Sequence, residues 1–186
     1  APIPEPEPIT LEQTYNLAGQ LSFDYPESWL ISDEDLGSGE SVLVGSNARI
    51  LDALSGSDTP NLTSSDIIIG VIYGSPEELS NEDIGPDAEL EDFVEDLDIL
   101  VGTSGLTTGF VTYGDFRVYE ATLSVQGAPF SALLNVVELE PGQDYAIVLM
   151  VIAQNSFEEN FPLLQAVTAS IRFPPSGDPI GPRNAE

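Results

Sequence analysis

The sequence contains no histidine, no cysteine and no lysine, and its four basic residues are all arginines. These absences exclude disulfides and thiolate metal sites, and they exclude nucleophilic catalysis by Ser-His, Cys-His or Ser-Lys pairs. Four basic residues against 32 acidic ones leave no cationic cluster to hold nucleic-acid phosphates. The longest apolar run, Ala146 to Ala153, has eight residues, whereas a membrane-spanning helix needs about 20.

The acid excess gives the chain a formal charge of −28. Repulsion among the carboxylates favours solubility, and salt screens it over a Debye length of about 10 Å at 0.1 M. An acid excess without lysine is also what high-salt environments select. A salt-adapted module is therefore one interpretation of the composition.

A chain of 186 residues with 41% hydrophobic content has the size and composition of one folded domain. We predict an extended, proline- and glutamate-rich tether at residues 1–10, a single domain at 11–173 and a proline- and glycine-rich tail at 174–186. The tail is expected to be loose or to lie along the surface. The chain begins with Ala1, and we expect a removed signal peptide or a trimmed N-terminus. Together with the tether this predicts an extracytoplasmic domain that is secreted, periplasmic or tethered through residues 1–10 to a membrane anchor or a neighbouring domain. The alternative is a disordered end with no role.

Alternating and β-branched segments predict a series of strands. The last four candidates are separated by short turns, so neighbouring strands are expected to pair antiparallel. The predicted strands are Leu21–Tyr25, Trp29–Ile31, Ser41–Gly45, Ile67–Tyr73, Thr108–Tyr113, Phe116–Val125, Phe130–Glu140 and Tyr145–Gln154.

Two helices are predicted. Between Pro86 and Val101 the apolar residues recur at helical spacing, and Gly102 suits the end of a helix. The second is expected over about Pro162 to Ser170, because a start at Ser156 would place Pro162 inside the helix.

The segment LSFDYPESWL resembles the opening of the PsbP/Mog1-like superfamily, where an aromatic-x-aromatic-Pro-x-x-Trp pattern occurs. Phe23, Tyr25, Pro26 and Trp29 fill those places. The closing segment resembles the final helix of these proteins and its exit. It contains Phe161, Leu164, Ser170, Ile171 and Phe173.

The resemblance implies an α+β fold: an α/β/α sandwich with a central, largely antiparallel sheet of about six strands and two main helices. Members of the superfamily act mostly by binding partners, which implies a non-catalytic domain that binds a protein. The basic residues with which photosystem-type members dock are largely missing here, so photosystem docking is not expected. A hydrolase that uses two carboxylates is a third and weaker hypothesis.

An acidic loop is the candidate cation site. Asp33, Asp35 and Glu40 offer hard oxygen ligands of the kind that calcium prefers, although their spacing is not that of an EF-hand. The alternative is a solvated loop with no ligand. No other cofactor is indicated.

The first predicted helix carries a candidate docking surface for a basic partner, on the face opposite its apolar stripe. Acids near a helix C-terminus are mildly unfavourable, so they point either to a partner or to adaptation to salt. The alternative is an ordinary solvated face with no partner. The candidate residues are Asp92, Glu95, Asp96 and Asp98.

Four further residues have a structural and a functional interpretation. Trp29 and Tyr25 are expected to anchor the core rather than line a pocket. Arg117 and Arg172 are expected to pair with carboxylates, and they are also the candidates for holding an anion.

Thermal unfolding in calcium separates the cation site from general screening. We expect NaCl at matched ionic strength to raise the midpoint as much as calcium does, because both screen the charge of −28. A rise specific to millimolar calcium, measured against chelator, would establish a folded-state site and direct mutation to Asp33, Asp35 and Glu40.

Overall fold

A computed structural model describes residues 11–17, 19–32, 40–50, 66–75, 107–124, 130–140, 143–153, 157–181 and 184. These residues form nine strands and one long helix. The strands are β1 Gln13–Leu17, β2 Leu21–Tyr25, β3 Leu30–Ser32, β4 Glu40–Gly45, β5 Ile68–Gly74, β6 Thr107–Tyr113, β7 Phe116–Ser124, β8 Phe130–Glu140 and β9 Asp144–Ala153; the helix, α1, is Phe157–Ala169.

The strands form two antiparallel sheets. β1 and β2 make a hairpin, and the other strands make a seven-stranded sheet in the order β3-β4-β5-β9-β8-β7-β6. The predicted α+β fold and the antiparallel pairing of the last four strands are confirmed. The sheet has one strand more than expected, and β1 was not predicted from the sequence. The helix predicted at 86–101 lies outside the described residues.

The predicted start of the C-terminal helix is wrong. α1 begins at Phe157 and contains Pro162. A proline in the sixth position removes one hydrogen bond to the preceding turn. Packing compensates for that loss, because Leu163, Leu164 and Val167 are buried against the sheet while Pro162 stays exposed.

Side chains alternate between the two faces of the sheet, and β8 is buried on both. Its Leu133 and Val137 join the main core beneath α1 and the β1–β2 hairpin. Its Leu134 and Val136 belong to a second cluster on the opposite face. Burial on both sides of the neighbouring β9 is consistent with its nearly continuous apolar run.

A buried polar group links the sheet to the helix. The Nδ2 group of Asn135 donates to the hydroxyl oxygens of Tyr113, at 3.2 Å, and Thr168, at 3.0 Å. The Thr168 hydroxyl in turn donates to the Leu164 carbonyl at 2.8 Å. The Asn135 Oδ1 atom has no hydrogen-bond partner among the described residues. The group ties β6, β8 and α1 together at one point.

The segment after the helix packs onto the domain. Ser22 and Arg172 exchange backbone hydrogen bonds of 3.0 and 2.8 Å, which attaches this segment to β2. Ile180 is 6% exposed and belongs to the main core, and its amide donates to the Ile171 carbonyl at 2.8 Å. The described part of residues 174–184 therefore contributes to the core, and we call residues 174–181 with Asn184 the C-terminal strap.

The strap touches the turn between β6 and β7. Asn184 donates through its side chain to the Gly114 carbonyl at 2.9 Å. Gly114 has a φ of +60°, and a Cβ at this position would lie 1.9 Å from the Ile180 carbonyl oxygen. Only glycine fits there.

Replacing Gly114 tests this contact. We expect Gly114→Ala to lower the free energy of unfolding by at least about 3 kcal/mol, because a positive φ is combined with a backbone clash. Gly19→Ala is the matched control: Gly19 has a φ of +75°, and no atom of the residues that the structure describes lies within 4 Å of the added Cβ, so the cost should be about 1 kcal/mol. Urea unfolding measures both, and equal losses would contradict the packed strap.

Candidate functional site

The predicted cation ligands are only partly described. Glu40 begins β4, is exposed and lies opposite Tyr73 of β5. Asp33 and Asp35 lie outside the described residues. Within the part of the chain that the structure describes, no three acidic side chains gather as a metal would require. The calcium site remains a prediction.

The predicted acidic docking surface lies outside the described residues altogether. The structure therefore does not place Asp92, Glu95, Asp96 or Asp98. No helix among the described residues is both long enough and apolar enough to cross a membrane.

Arg172 is engaged by a carboxylate, as predicted. Its guanidinium donates to both oxygens of Asp24, at 2.8 and 3.2 Å, and Thr14 donates to the same carboxylate at 2.7 Å. Burial by itself raises the pKa of Asp24, but the hydrogen bonds from Arg172 and Thr14 and the charge of Arg172 outweigh it, so this pKa lies below its usual value. The pair joins β2 to the segment after α1.

Arg49 also binds a carboxylate. It pairs with Asp66, which is 2% exposed. Asn47 donates to Asp66 at 2.8 Å, and its side-chain oxygen accepts the Ile50 amide at 3.0 Å, which caps the helical turn at residues 48–50. The Arg49–Asp66 pair therefore joins the turn after β4 to the residues just before β5.

Trp29 and Tyr25 pack against the main core and are partly buried. The Tyr25 ring lies 6.3 Å from that of Phe23, centroid to centroid. Their predicted role as core anchors agrees with these contacts.

Arg117 has a different setting. Its guanidinium carbon lies 5.5 Å from the ring centroid of Phe110, within the range of a cation–π interaction. The Phe110 ring also lies 5.2 Å from that of Tyr119, its neighbour on β7. Phe110 is 43% exposed, so an aromatic surface held by a cation faces solvent. We call Phe110, Arg117 and Tyr119 the aromatic platform.

The platform ends an apolar row that crosses the second face of the sheet. The strand registers place its members side by side. From β5 to β6 the row runs Ile72, Ile147, Val136, Tyr119 and Phe110. The row is buried at its centre, partly exposed at Ile72 and most exposed at Phe110.

Phe110 lies on an edge strand. β6 is the last strand of the sheet, and it pairs only with β7 among the described residues. At the opposite edge, Leu30 on β3 is 44% exposed. These two are the exposed large apolar side chains of the described chain, and both lie on the second face.

No family model matches the chain, and no curated protein does so either. Solved structures do. The Ran-binding protein Mog1p of Saccharomyces cerevisiae has a TM-score of 0.56 at 12% identity, with 90% of this chain and 98% of that one covered. Cyanobacterial PsbP (CyanoP) from a Synechocystis species has a TM-score of 0.53 at 16% identity, with 92% and 98% covered.

A Mog1 mutant gives a TM-score of 0.52 at 13% identity, with 88% and 96% covered. The chain has the PsbP/Mog1-like fold. The resemblance that its opening and closing segments indicated is therefore confirmed at the level of the fold.

Sequence reasoning missed the exposed aromatic platform of this PsbP/Mog1-like domain. Two sequence signals were available. The segment that forms β6, TTGFVTY, has no charged residue and no proline. Arg117 follows Phe116 at the start of the next strand. Neither indicates an edge, because strand order depends on pairings between segments far apart in the sequence.

The Asp24–Arg172 pair predicts a specific pH dependence. Because the pKa of Asp24 is depressed on folding, the stabilisation is complete at neutral pH and is lost as the pH falls through the folded-state value, below 3.8. We expect Asp24→Asn to cost about 1–2 kcal/mol at pH 7.

Urea unfolding from pH 7 to pH 2 measures this effect. The difference between wild type and Asp24→Asn should shrink at the acid end. Asp178→Asn, at an exposed position, removes the same charge where no ion pair with a described residue is present, and it serves as the control. A difference that does not change with pH would show that the pair contributes no charge interaction.

Proposed function

We propose that this chain is a non-catalytic, extracytoplasmic domain that binds a protein partner at the β6 edge of its sheet. The aromatic platform carries the proposal. Phe110 is exposed, yet it is held by Arg117 and Tyr119 at 5.5 and 5.2 Å, so binding would order little that is not already ordered.

The composition of the surface supports a protein as the ligand. Aromatic and arginine side chains are enriched where binding energy concentrates in protein interfaces. The row behind Phe110 provides a rigid support, because Val136 is fully buried and Tyr119 is 3% exposed. A sheet edge with an exposed ring fits another protein better than a small molecule, which prefers a concave site.

The comparisons add a precedent for the fold. Mog1p is a Ran-binding protein, so this architecture does present protein-binding surfaces. The precedent names no partner for this chain. The absence of histidine, cysteine and lysine supports a non-catalytic role, since it removes the commonest nucleophiles and proton carriers.

The N-terminal composition supports the location. Residues 1–10 contain four prolines and two glutamates, a composition that favours an extended spacer between a domain and its anchor. Such a spacer would hold the platform away from a membrane surface. The net charge of −28 also keeps an isolated domain away from anionic lipids.

Site-specific photocrosslinking tests the site and the location together. Phe110 is replaced by p-benzoylphenylalanine in the source cells, and Leu30 is replaced in parallel as the control on the same face at the other edge. We expect the 110 variant to give a discrete crosslinked protein in the envelope or secreted fraction, and the 30 variant to give none.

Competition makes the result specific. Excess unlabelled wild-type domain should suppress the crosslink, whereas the Phe110→Ser domain should not. The same crosslink from both positions, or a crosslink that Phe110→Ser suppresses equally well, would contradict the platform. A crosslink found only in the cytosolic fraction would contradict the location.

A further inference from the structure

We propose that the open stretch of β6, Thr108 to Phe110, binds its partner by strand addition, and that the partner supplies an extended, basic segment. This inference rests on the proposed function and specifies how the platform is used. The chain's own C-terminal strap already occupies the other end of the same edge.

The hairpin geometry sets which backbone groups face outward. β6 and β7 are joined by the two residues Gly114 and Asp115, and Tyr113 lies opposite Phe116. In such a hairpin the residues that flank the turn exchange hydrogen bonds, and the pattern alternates along the strand. The N–H and C=O groups of Thr108, Phe110 and Thr112 therefore point away from β7.

The strap shows that this edge accepts a backbone partner. The Asn184 amide donates to the Thr112 carbonyl at 2.9 Å, and its side chain donates to the Thr112 hydroxyl at 2.7 Å. The backbone bond is of the kind that an added strand would make with β6. No described residue bonds to the outward groups of Phe110 or Thr108.

The open stretch lacks the usual protection of edge strands. Proteins keep edges from pairing by shortening them or by placing lysine, proline or a bulge there. β3, at the opposite edge, has only three residues. β6 has seven residues, none charged and none proline, and its register with β7 is unbroken.

Side chains on both faces can contribute specificity. On the second face, Phe110 would contact alternate side chains of an added strand about 4.8 Å away. On the helix face, Gly109 has no side chain, and a Cβ there would have no atom of a described residue within 4 Å. That open space lies beside Glu120, which is paired with Gly109.

Charge selects the partner. The domain carries −28 in total, Glu120 borders the open space, and Asp115 is exposed in the adjoining turn. A second copy of this chain would bring the same excess of acid and would be repelled. An extended segment with arginine or lysine at alternate positions can hydrogen-bond to the β6 edge, and its positive charge is attracted by the negative charge of the domain.

Peptide titration with amide exchange tests the mode of binding. The probe is a short, acetylated and amidated peptide that alternates arginine and valine, added to the isotope-labelled full chain. We expect exchange at the Thr108 and Phe110 amides to slow by at least about tenfold on saturation. The Val111 amide, which already faces β7, should change little.

Two control peptides make the test falsifiable. The same sequence N-methylated along its central amides keeps the charge but cannot pair as a strand, and it should protect neither amide. A glutamate-valine peptide keeps the strand but reverses the charge, and it should not bind. Equal protection by the glutamate peptide would overturn the basic partner, and equal binding by the N-methylated peptide would overturn strand addition.

The strap provides an internal check. Asn184→Ala removes both side-chain bonds of the strap to β6 and its turn. If the strap and an added strand compete for Thr112, the arginine-valine peptide should then bind about threefold more tightly. Unchanged affinity, in a variant whose thermal midpoint shows that it is folded, would overturn competition by the strap.

The outcomes separate the two proposals. Failure of the arginine-valine peptide to protect Thr108 and Phe110 would overturn strand addition even where the crosslink at Phe110 is found. Protection by the peptide without any crosslink in cells would retain the edge chemistry but remove the proposed function.

Discussion

The pairing of β8 with β9 is the interaction on which the rest of the structure depends. These are the two longest strands, and they hold the centre of the seven-stranded sheet. β5 and β4 extend the sheet from β9, and β7 and β6 extend it from β8. α1 follows β9 along the chain and packs across both central strands. Apolar burial on both faces of this pair stabilises the whole assembly.

The sheet has two edge strands, β3 and β6, and they differ in length. β3 is short, whereas β6 is long and uncharged and ends an apolar row at Phe110. The C-terminal strap reaches the β6 edge but pairs there only at Thr112 among the described residues. The proposed binding surface is thus a consequence of how the sheet terminates, and it is held on rigid strands rather than on a loop.

Because the chain has only four basic residues, the contacts of each arginine matter for the fold. Arg172 and Arg49 each neutralise a carboxylate that the fold partly or fully buries, which an acidic chain needs most where segments distant in sequence meet. Arg117 stacks on an exposed ring. A domain with so few cations places one of them on the proposed binding surface, and the surrounding acidity favours a basic partner.

The sequence by itself determined the excluded chemistries, most of the strands and the antiparallel order of the last four, because composition, alternation and turn length are local properties. Phe130–Glu140 was predicted with the bounds that the structure has. Other features depended on tertiary contacts. α1 extends through Pro162 because its buried face outweighs one lost hydrogen bond, and Ile180 enters the core because the strap bridges to Ile171 and β2. The exposure of Phe110 likewise depends on β6 being the edge strand. No local sequence pattern indicates which strand lies at the edge of a sheet.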